Sequence, residues 1–455
     1  TLSSSSAASD VYKRQYKHFS FLKVMKIIFH GAAQEVGKSC IEVQTGSKRY
    51  IMDAGIKFTK DGAEYPKFLD KVYELDGVFL SHAHLDHSGA LPMLEHKNLK
   101  CPIYTTNLTW KIVNLLLEDN YHLEKLKHVH PAYVERDITK VKNDLRFVTY
   151  DKQYETHDGK VKFTYLNSGH IPGGASILME LEGKKLLYTA DVNTEDTNLM
   201  VPSHVDQLQD IDILITENTY GNREHPSKKD EEAKFLEYVK ETIKNGGSVL
   251  VPAFAVGRSQ EIMILLEQLD ADIPIYLDGM ARKVMTMVAE SDDKYIDNKD
   301  IVASMMKRIK YIKKPTERDH IGKMKGVVIV TTSGMCQGGP VMTYMKHFVN
   351  KEENRVIMTG YQATGTNGRY IMEERTFKEH HHMYKVHCDI QQVDFSAHYG
   401  QTSIRDMMRR INPEHLILQH GDVDALTESM DYAKENLKGK TYMPEIGEVL
   451  TFYED

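Results

Sequence analysis

The stretch Ser81-His82-Ala83-His84-Leu85-Asp86-His87 sets four potential metal ligands within six positions, directly after an apolar run. In an extended loop side chains alternate, so His82 and His84 point the same way, while a following turn carries Asp86 and His87 to a neighbouring point. Such a set suits two metal ions ~3.5–4 Å apart. Nitrogen and oxygen ligands without thiolate favour zinc, with manganese or iron as alternatives, and leave coordination positions open for water. The helical His-Glu-x-x-His arrangement is absent. Two ions need more ligands. The chain offers His170 in Asn167-Ser168-Gly169-His170-Ile171-Pro172-Gly173-Gly174, Asp191 just past the run 186–189, and His420 in Gln419-His420-Gly421, each at the end of an apolar run.

Strand ends must carry these ligands. Short β-rich runs closed by glycine or polar loops predict strands over 26–29, 40–44, 50–52 and 77–80, then 163–166, 176–181, 185–188 and 211–216. Apolar residues at helical spacing predict a covering helix over 110–127. After Tyr220 the rhythm changes to alternating helices (228–244, 259–268) and strands (248–252, 274–277, 327–331, 356–359), the pattern of a parallel sheet flanked by helices. Short strands return from about Lys385, as at 416–418. An α/β domain inserted into a first domain is the economical expectation, with no internal repeat.

Asp53 in Met52-Asp53-Ala54-Gly55, followed by His-Ala-His-Leu-Asp-His, His170 and Asp191, resembles the motif order of the metallo-β-lactamase fold. Glu217 in Thr216-Glu217-Asn218-Thr219-Tyr220-Gly221, His398 in Asp394-Phe395-Ser396-Ala397-His398, and His420 resemble the β-CASP branch of nucleases. That branch includes ribonuclease J and the endonuclease subunit of the messenger-RNA cleavage and polyadenylation machinery, and the match runs from Met25 through nearly the whole chain. The resemblance implies an αββα sandwich over 25–220 and 388–455, with a β-CASP domain at 221–387. It implies that His82, His84 and His170 bind one zinc and Asp86, His87 and His420 the other, with Asp191 bridging and a hydroxide between them as nucleophile. Asp86 could take the proton as it ligates. His398, oriented by Glu217, would protonate the leaving ribose oxygen, and Asp53 would hold the histidine loop rather than touch metal. A histidine at the last motif marks the RNA-processing members, so RNA is the expected partner, cleaved internally or from a 5′ end.

Loops that follow strands of the insertion are expected to hold RNA: Arg258 in 254–258, Ser333 and Gly334 in 332–335, and Thr364, Gly365 and Thr366 in 360–366, together with Ser396. The insertion from Gly221 to Ile390 carries 26 Lys and Arg against 24 Asp and Glu, so it is the less acidic part of the chain. Lys307, Arg308, Lys310, Lys313 and Lys314 could steer RNA or simply face solvent. Three other readings compete. Gly31 to Ser39 nearly matches a phosphate-binding P-loop, but five residues separate its glycines where four are required. A small-molecule metallo-hydrolase of the same fold, acting on a thioester or lactone, leaves the long stretch between Asp191 and His398 unexplained. A non-catalytic RNA-binding scaffold would be expected to have lost metal ligands, which this chain keeps.

Length and composition bound the rest. The chain has 455 residues, 41% hydrophobic and 27% charged, enough for more than one core and typical of a globular chain rather than a disordered or fibrous one. No window approaches the ~18 apolar residues of a membrane span, so no membrane partner is expected. The net charge of −7 gives no general attraction to polyanions, which makes any nucleic-acid site local. Four widely spaced cysteines, without a Cys-x-x-Cys pair, fit a reducing, cytoplasmic setting. A homodimer remains open. Residues 1–24 begin with Thr and reach Asp10-Val11-Tyr12-Lys13-Arg14-Gln15, which resembles a translated sequencing adapter. They are expected to be a non-native or disordered leader, with Met25 the native start.

Overall fold

The computed structural model describes residues 24–453 except 60–61, 68–70, 127–131, 313, 364 and 380–381. Two seven-stranded sheets stack face to face, and a six-stranded sheet forms a separate layer. The first sheet runs Val449–Tyr453, Val24–Gly31, Cys40–Thr45, Lys48–Met52, Gly77–Phe79, Ile103–Thr106 and Leu145–Val148. The second runs Lys440–Tyr442, His415–Gln419, Ile213–Glu217, Lys184–Tyr188, Ala175–Leu181, Val161–Asn167 and Gln153–Glu155. Each is part antiparallel and part parallel.

Alternation explains why these segments stack. Along Val161–Asn167 the side chains of Val161, Phe163 and Tyr165 are buried while Lys162 is exposed, so one face meets the opposite sheet. Phe29, Phe79, Ile177 and Tyr188 fill the space between the sheets. The helix Asn107–Leu126 covers the first sheet with Leu108, Ile112 and Leu116, and helices Gln401–Ile411 and Val423–Asn436 cover the second. This is an αββα sandwich.

The third sheet orders Lys310–Tyr311, Ile275–Asp278, Val328–Thr331, Val249–Pro252, Arg355–Met358 and Asp389–Gln392, all parallel. One of its two central strands, Val249-Leu250-Val251-Pro252, is buried throughout, as a parallel strand covered on both faces requires. Ser227 caps the helix Lys228–Lys244 by accepting from the Asp230 amide.

Several boundaries differ from expectation. Asp389–Gln392 pairs with Arg355–Met358, so the insertion's sheet extends past 387. Val24 begins the first strand, inside the segment expected to be a leader; residues 1–23 lie outside the described residues. The hairpin Lys57–Thr59 with Gly62–Glu64 and the helix Glu135–Asp144 are not expected from the sequence, because the hairpin strands are short and the helix has only Ile138 and Val141 as apolar residues. No helix among the described residues is long and apolar enough to cross a membrane.

Candidate metal centre and cleft

Six strand ends meet at one rim of the sandwich. Asp53 follows Lys48–Met52, and His82, His84, Asp86 and His87 follow Gly77–Phe79, the last two on the short helix Leu85–Ser88. His170 follows Val161–Asn167, Asp191 follows Lys184–Tyr188, Glu217 ends its strand and His420 follows His415–Gln419. Asp53, Ala190 and His420 take left-handed backbone conformations, with φ of 59°, 49° and 51°, which non-glycine residues rarely adopt. Such conformations persist where surrounding packing fixes them, often at functional sites.

Asp191 lies at the middle of the cluster. One carboxylate oxygen is 3.4 Å from His82 Nε2 and 3.5 Å from His170 Nε2. The other is 3.1 Å from His87 Nε2 and 3.5 Å from His420 Nδ1. His84 Nδ1 lies 3.1 Å from His170 Nε2, and His420 Nε2 lies 3.4 Å from Asp86 Oδ2. The donors fall into two groups flanking one carboxylate: His82, His84, His170 and Asp191, and Asp86, His87 and His420. Within each group the ligand atoms lie within 4.8 Å of one another.

The chemistry of this donor set fits cations. His82 Nε2, His87 Nε2 and Asp191 Oδ1 lie at ion-pair distances but are buried without a partner in hydrogen-bond geometry, an arrangement that costs free energy unless another group satisfies them. Burial lowers the basicity of His82 and His170 and brings His84 down to about 3, which leaves their ring lone pairs available. Burial also opposes charge on His87, but Asp191 and Asp53 on either side raise it well above the usual imidazole value. The buried carboxylates thus draw positive charge to this rim.

Asp53 stands behind the ligands, fully buried. It accepts from the Ser81 amide and hydroxyl, both at 2.8 Å, and from the Tyr188 hydroxyl at 2.7 Å, while His87 Nδ1 lies 2.6 Å from its Oδ2. These bonds fix the turn that presents His87. The Ala397 carbonyl, 2.7 Å from His170 Nδ1, fixes that ring in a similar way. Tyr188 and Ala397 were not singled out in the sequence, because a strand tyrosine and a loop carbonyl carry no pattern.

His398 joins the site from the far side of the insertion. Its Nδ1 is 2.7 Å from Glu217 Oε1, and its ring centroid is 4.6 Å from that of His170. Glu217 is buried and also accepts from the Val192 and Thr219 amides at 3.1 Å and from the Thr219 hydroxyl at 2.5 Å. Burial works against the His398 cation, but the Glu217 charge and hydrogen bond, aided by Asp191 and Asp86, raise it to about 9.

A cleft opens beside His398 and His170, lined also by Arg258, Ser396, Asn193 and Glu195. The Arg258 Nη1 is buried there without a hydrogen-bond partner. Ser396 Oγ accepts from the His398 amide at 3.1 Å and braces its loop. Ser333, Gly334, Gly365 and Thr366 are not among the residues that line the cleft. Ser333 Oγ accepts from the Gln337 amide at 3.1 Å, and Thr366 caps the helix Asn367–Glu374. Gly334 packs against Phe254, Gly365 occupies a turn at φ 82°, and Thr364 lies outside the described residues. In the basic run, Arg308 is committed to the carbonyls of Leu266, Glu267, Leu269 and Asp270, while Lys313 lies outside the described residues. The P-loop-like segment leads into the strand Cys40–Thr45 rather than a helix, and Lys38 pairs with Glu35 and Glu64 at 3.1 and 3.0 Å, so a nucleotide site is absent there.

Comparison with known proteins agrees with this architecture. The family model of the metallo-β-lactamase superfamily domain matches residues 43–215, that of the Beta-Casp domain residues 259–371, and that of the Zn-dependent metallo-hydrolase RNA specificity domain residues 383–444. The chain is 37% identical over 419 residues to Probable RNase MJ4 of Methanocaldococcus jannaschii, covering 90% of this chain and 96% of that protein. It is 32% identical over 433 residues to RNase aCSPSF2 of Saccharolobus solfataricus, covering 95% of this chain and 85% of that one. A solved structure from Enterococcus faecalis V583, of a protein of unknown function, aligns with a TM-score of 0.59 at 16% identity, over 94% of this chain and 100% of that one, a likeness of fold alone. From the near full-length identity to these relatives and the domain order, the chain belongs to the β-CASP family of metallo-β-lactamase-fold hydrolases.

Proposed function

We propose that the protein is a metal-dependent ribonuclease that hydrolyses RNA phosphodiester bonds. The observation that carries this reading is the Glu217–His398 pair set against the His170 edge of the donor cluster, beside a cleft that holds a buried, unpartnered guanidinium. Two zinc ions, one at His82, His84 and His170 and one at Asp86, His87 and His420 with Asp191 shared, would bring the pKa of water toward ~7 and neutralise charge developing on phosphoryl oxygens.

The chain's own groups do the remaining work. Glu217 occupies Nδ1 of His398 and leaves Nε2–H to protonate the leaving ribose oxygen. With its value raised to about 9, His398 carries that proton at neutral pH. Arg258 offers a fixed cation to an adjacent phosphate, and a guanidinium suits the two-oxygen geometry of that group. Asp53 keeps the His87 ring in place. The RNA specificity domain match and the RNase relatives support RNA over other phosphodiesters. Four buried, unpaired cysteines support action in a reducing cytoplasm.

The test is incubation of zinc- or manganese-loaded protein with RNAs labelled at either end, 5′-phosphorylated or 5′-triphosphorylated, beside a DNA control. RNA cleavage with DNA left intact is the expected result, and the product ladder separates internal from 5′-end attack. An absence of product from every RNA would overturn the reading.

A further inference from the structure

Among the described residues of the insertion, two aromatic side chains are exposed, Phe254 at 43% and Tyr361 at 49%. They stand side by side in the topology. Phe254 lies just past Val249–Pro252 and Tyr361 just past Arg355–Met358, which are neighbouring parallel strands. The Thr359 hydroxyl donates to the Pro252 carbonyl at 3.0 Å, tying the starts of the two loops together. Single exposed aromatics are ordinary, but these two follow adjacent strands at the same end of one sheet.

Both loops close on Arg258. The Phe254 carbonyl accepts from the Ser259 amide at 3.2 Å and the Ser259 hydroxyl at 2.6 Å, which folds the turn back beside Arg258. A side chain at Gly360 would lie 2.8 Å from Arg258 Nη1, so the residue before Tyr361 borders the guanidinium. Gln362, buried, donates to the Gly334 and Gly360 carbonyls at 3.2 and 3.3 Å and fixes the second loop. Two loops that each carry an exposed ring thus meet at a buried cation that lines the cleft.

We propose that Phe254 and Tyr361 form a stacking platform for unpaired nucleobases of an RNA strand entering the cleft, a step that rests on the ribonuclease reading. Every base has a π-face, so such a platform grips single strands without reading sequence, while Arg258 takes the phosphate between them. Paired bases bury those faces within the duplex. The protein therefore selects single-stranded segments, and its grip on them resides in the bases as well as in the phosphates.

The experiment measures affinity and turnover of the metal-loaded full chain on a single-stranded RNA, on a duplex, and on an abasic ribose-phosphate oligomer of equal length. Phe254→Ala and Tyr361→Ala should each weaken single-strand binding by roughly tenfold. Trp at either position should restore it and Leu should not. The abasic oligomer should bind wild type and variants alike, with unchanged melting temperatures. Wild-type cleavage of RNA with equal affinity in the alanine variants would overturn the platform and leave the ribonuclease reading intact. Rescue by Leu as good as by Trp would also overturn stacking. Failure of wild type to bind or cleave any RNA would overturn both.

Discussion

His398 Nδ1 and Glu217 Oε1 lie 2.7 Å apart although 181 positions separate the two residues, with the β-CASP sheet between them in the chain. The insertion therefore leaves and re-enters the sandwich at the two ends of one hydrogen bond. His398→Ala should lower kcat by ~10²–10⁴, the usual range for a lost general acid, while leaving metal content unchanged. Elemental analysis beside kinetics checks both, and zinc loss would count against the acid role.

Glu217→Gln removes the chief influence that raises His398. The proton on His398 is then lost at lower pH, so the alkaline limb of the rate profile should move to lower pH. A limb that stays in place would separate this pair from proton transfer.

Asp191 faces His82, His87, His170 and His420 at once. Asp191→Ala and His84→Ala should each reduce cleavage to background and lower the bound metal, with the circular dichroism spectrum of the folded chain retained. Full activity in either variant would refute the centre.

Asp53 touches no cleft-lining group yet fixes His87 through bonds shared with Ser81 and Tyr188. Asp53→Asn should weaken metal affinity ~10–100-fold, as loss of a ligand's supporting hydrogen bond does elsewhere. Tyr188→Phe should cost about 1 kcal/mol of stability and leave the metal in place. Zinc titration and thermal melts distinguish the two.

Away from the site, burial raises the Glu42 carboxyl, but bonds from His30, Arg49 and Gln44 outweigh it and hold the group at about 2. Its value is depressed on folding, so its contribution is present above the unfolded value near 4.5 and is lost as pH falls toward 2. Glu42→Gln should remove up to about 3 kcal/mol at neutral pH and flatten the acid side of the stability curve. Denaturant midpoints measured between neutral pH and pH 3 would reveal it.

The candidate donors are legible in sequence because each ends an apolar run, and runs of that kind become strands whose ends share a rim. The groups that orient them are not. Tyr188 looks like any inward strand tyrosine, and the Ala397 carbonyl carries no side-chain signal at all. The hydroxyls of Ser333 and Thr366 accept from backbone amides of their own turns, a bracing role that residue type alone does not reveal. Arg308 looked available for steering until the helix end before it claimed its donors. Fold class was easier than boundaries, since the parallel insertion shows as a change of rhythm, whereas Asp389–Gln392 has the polar composition of an edge strand.

His82, His84 and His87 hang from the first sheet, and His170, Asp191 and His420 from the second. An ion held from both sides would be a clasp between the two halves of the sandwich, closing a circuit from residue 82 to residue 420. These donors converge only once the sheets have stacked, so a metal bound among them would report completed assembly and favour it by mass action.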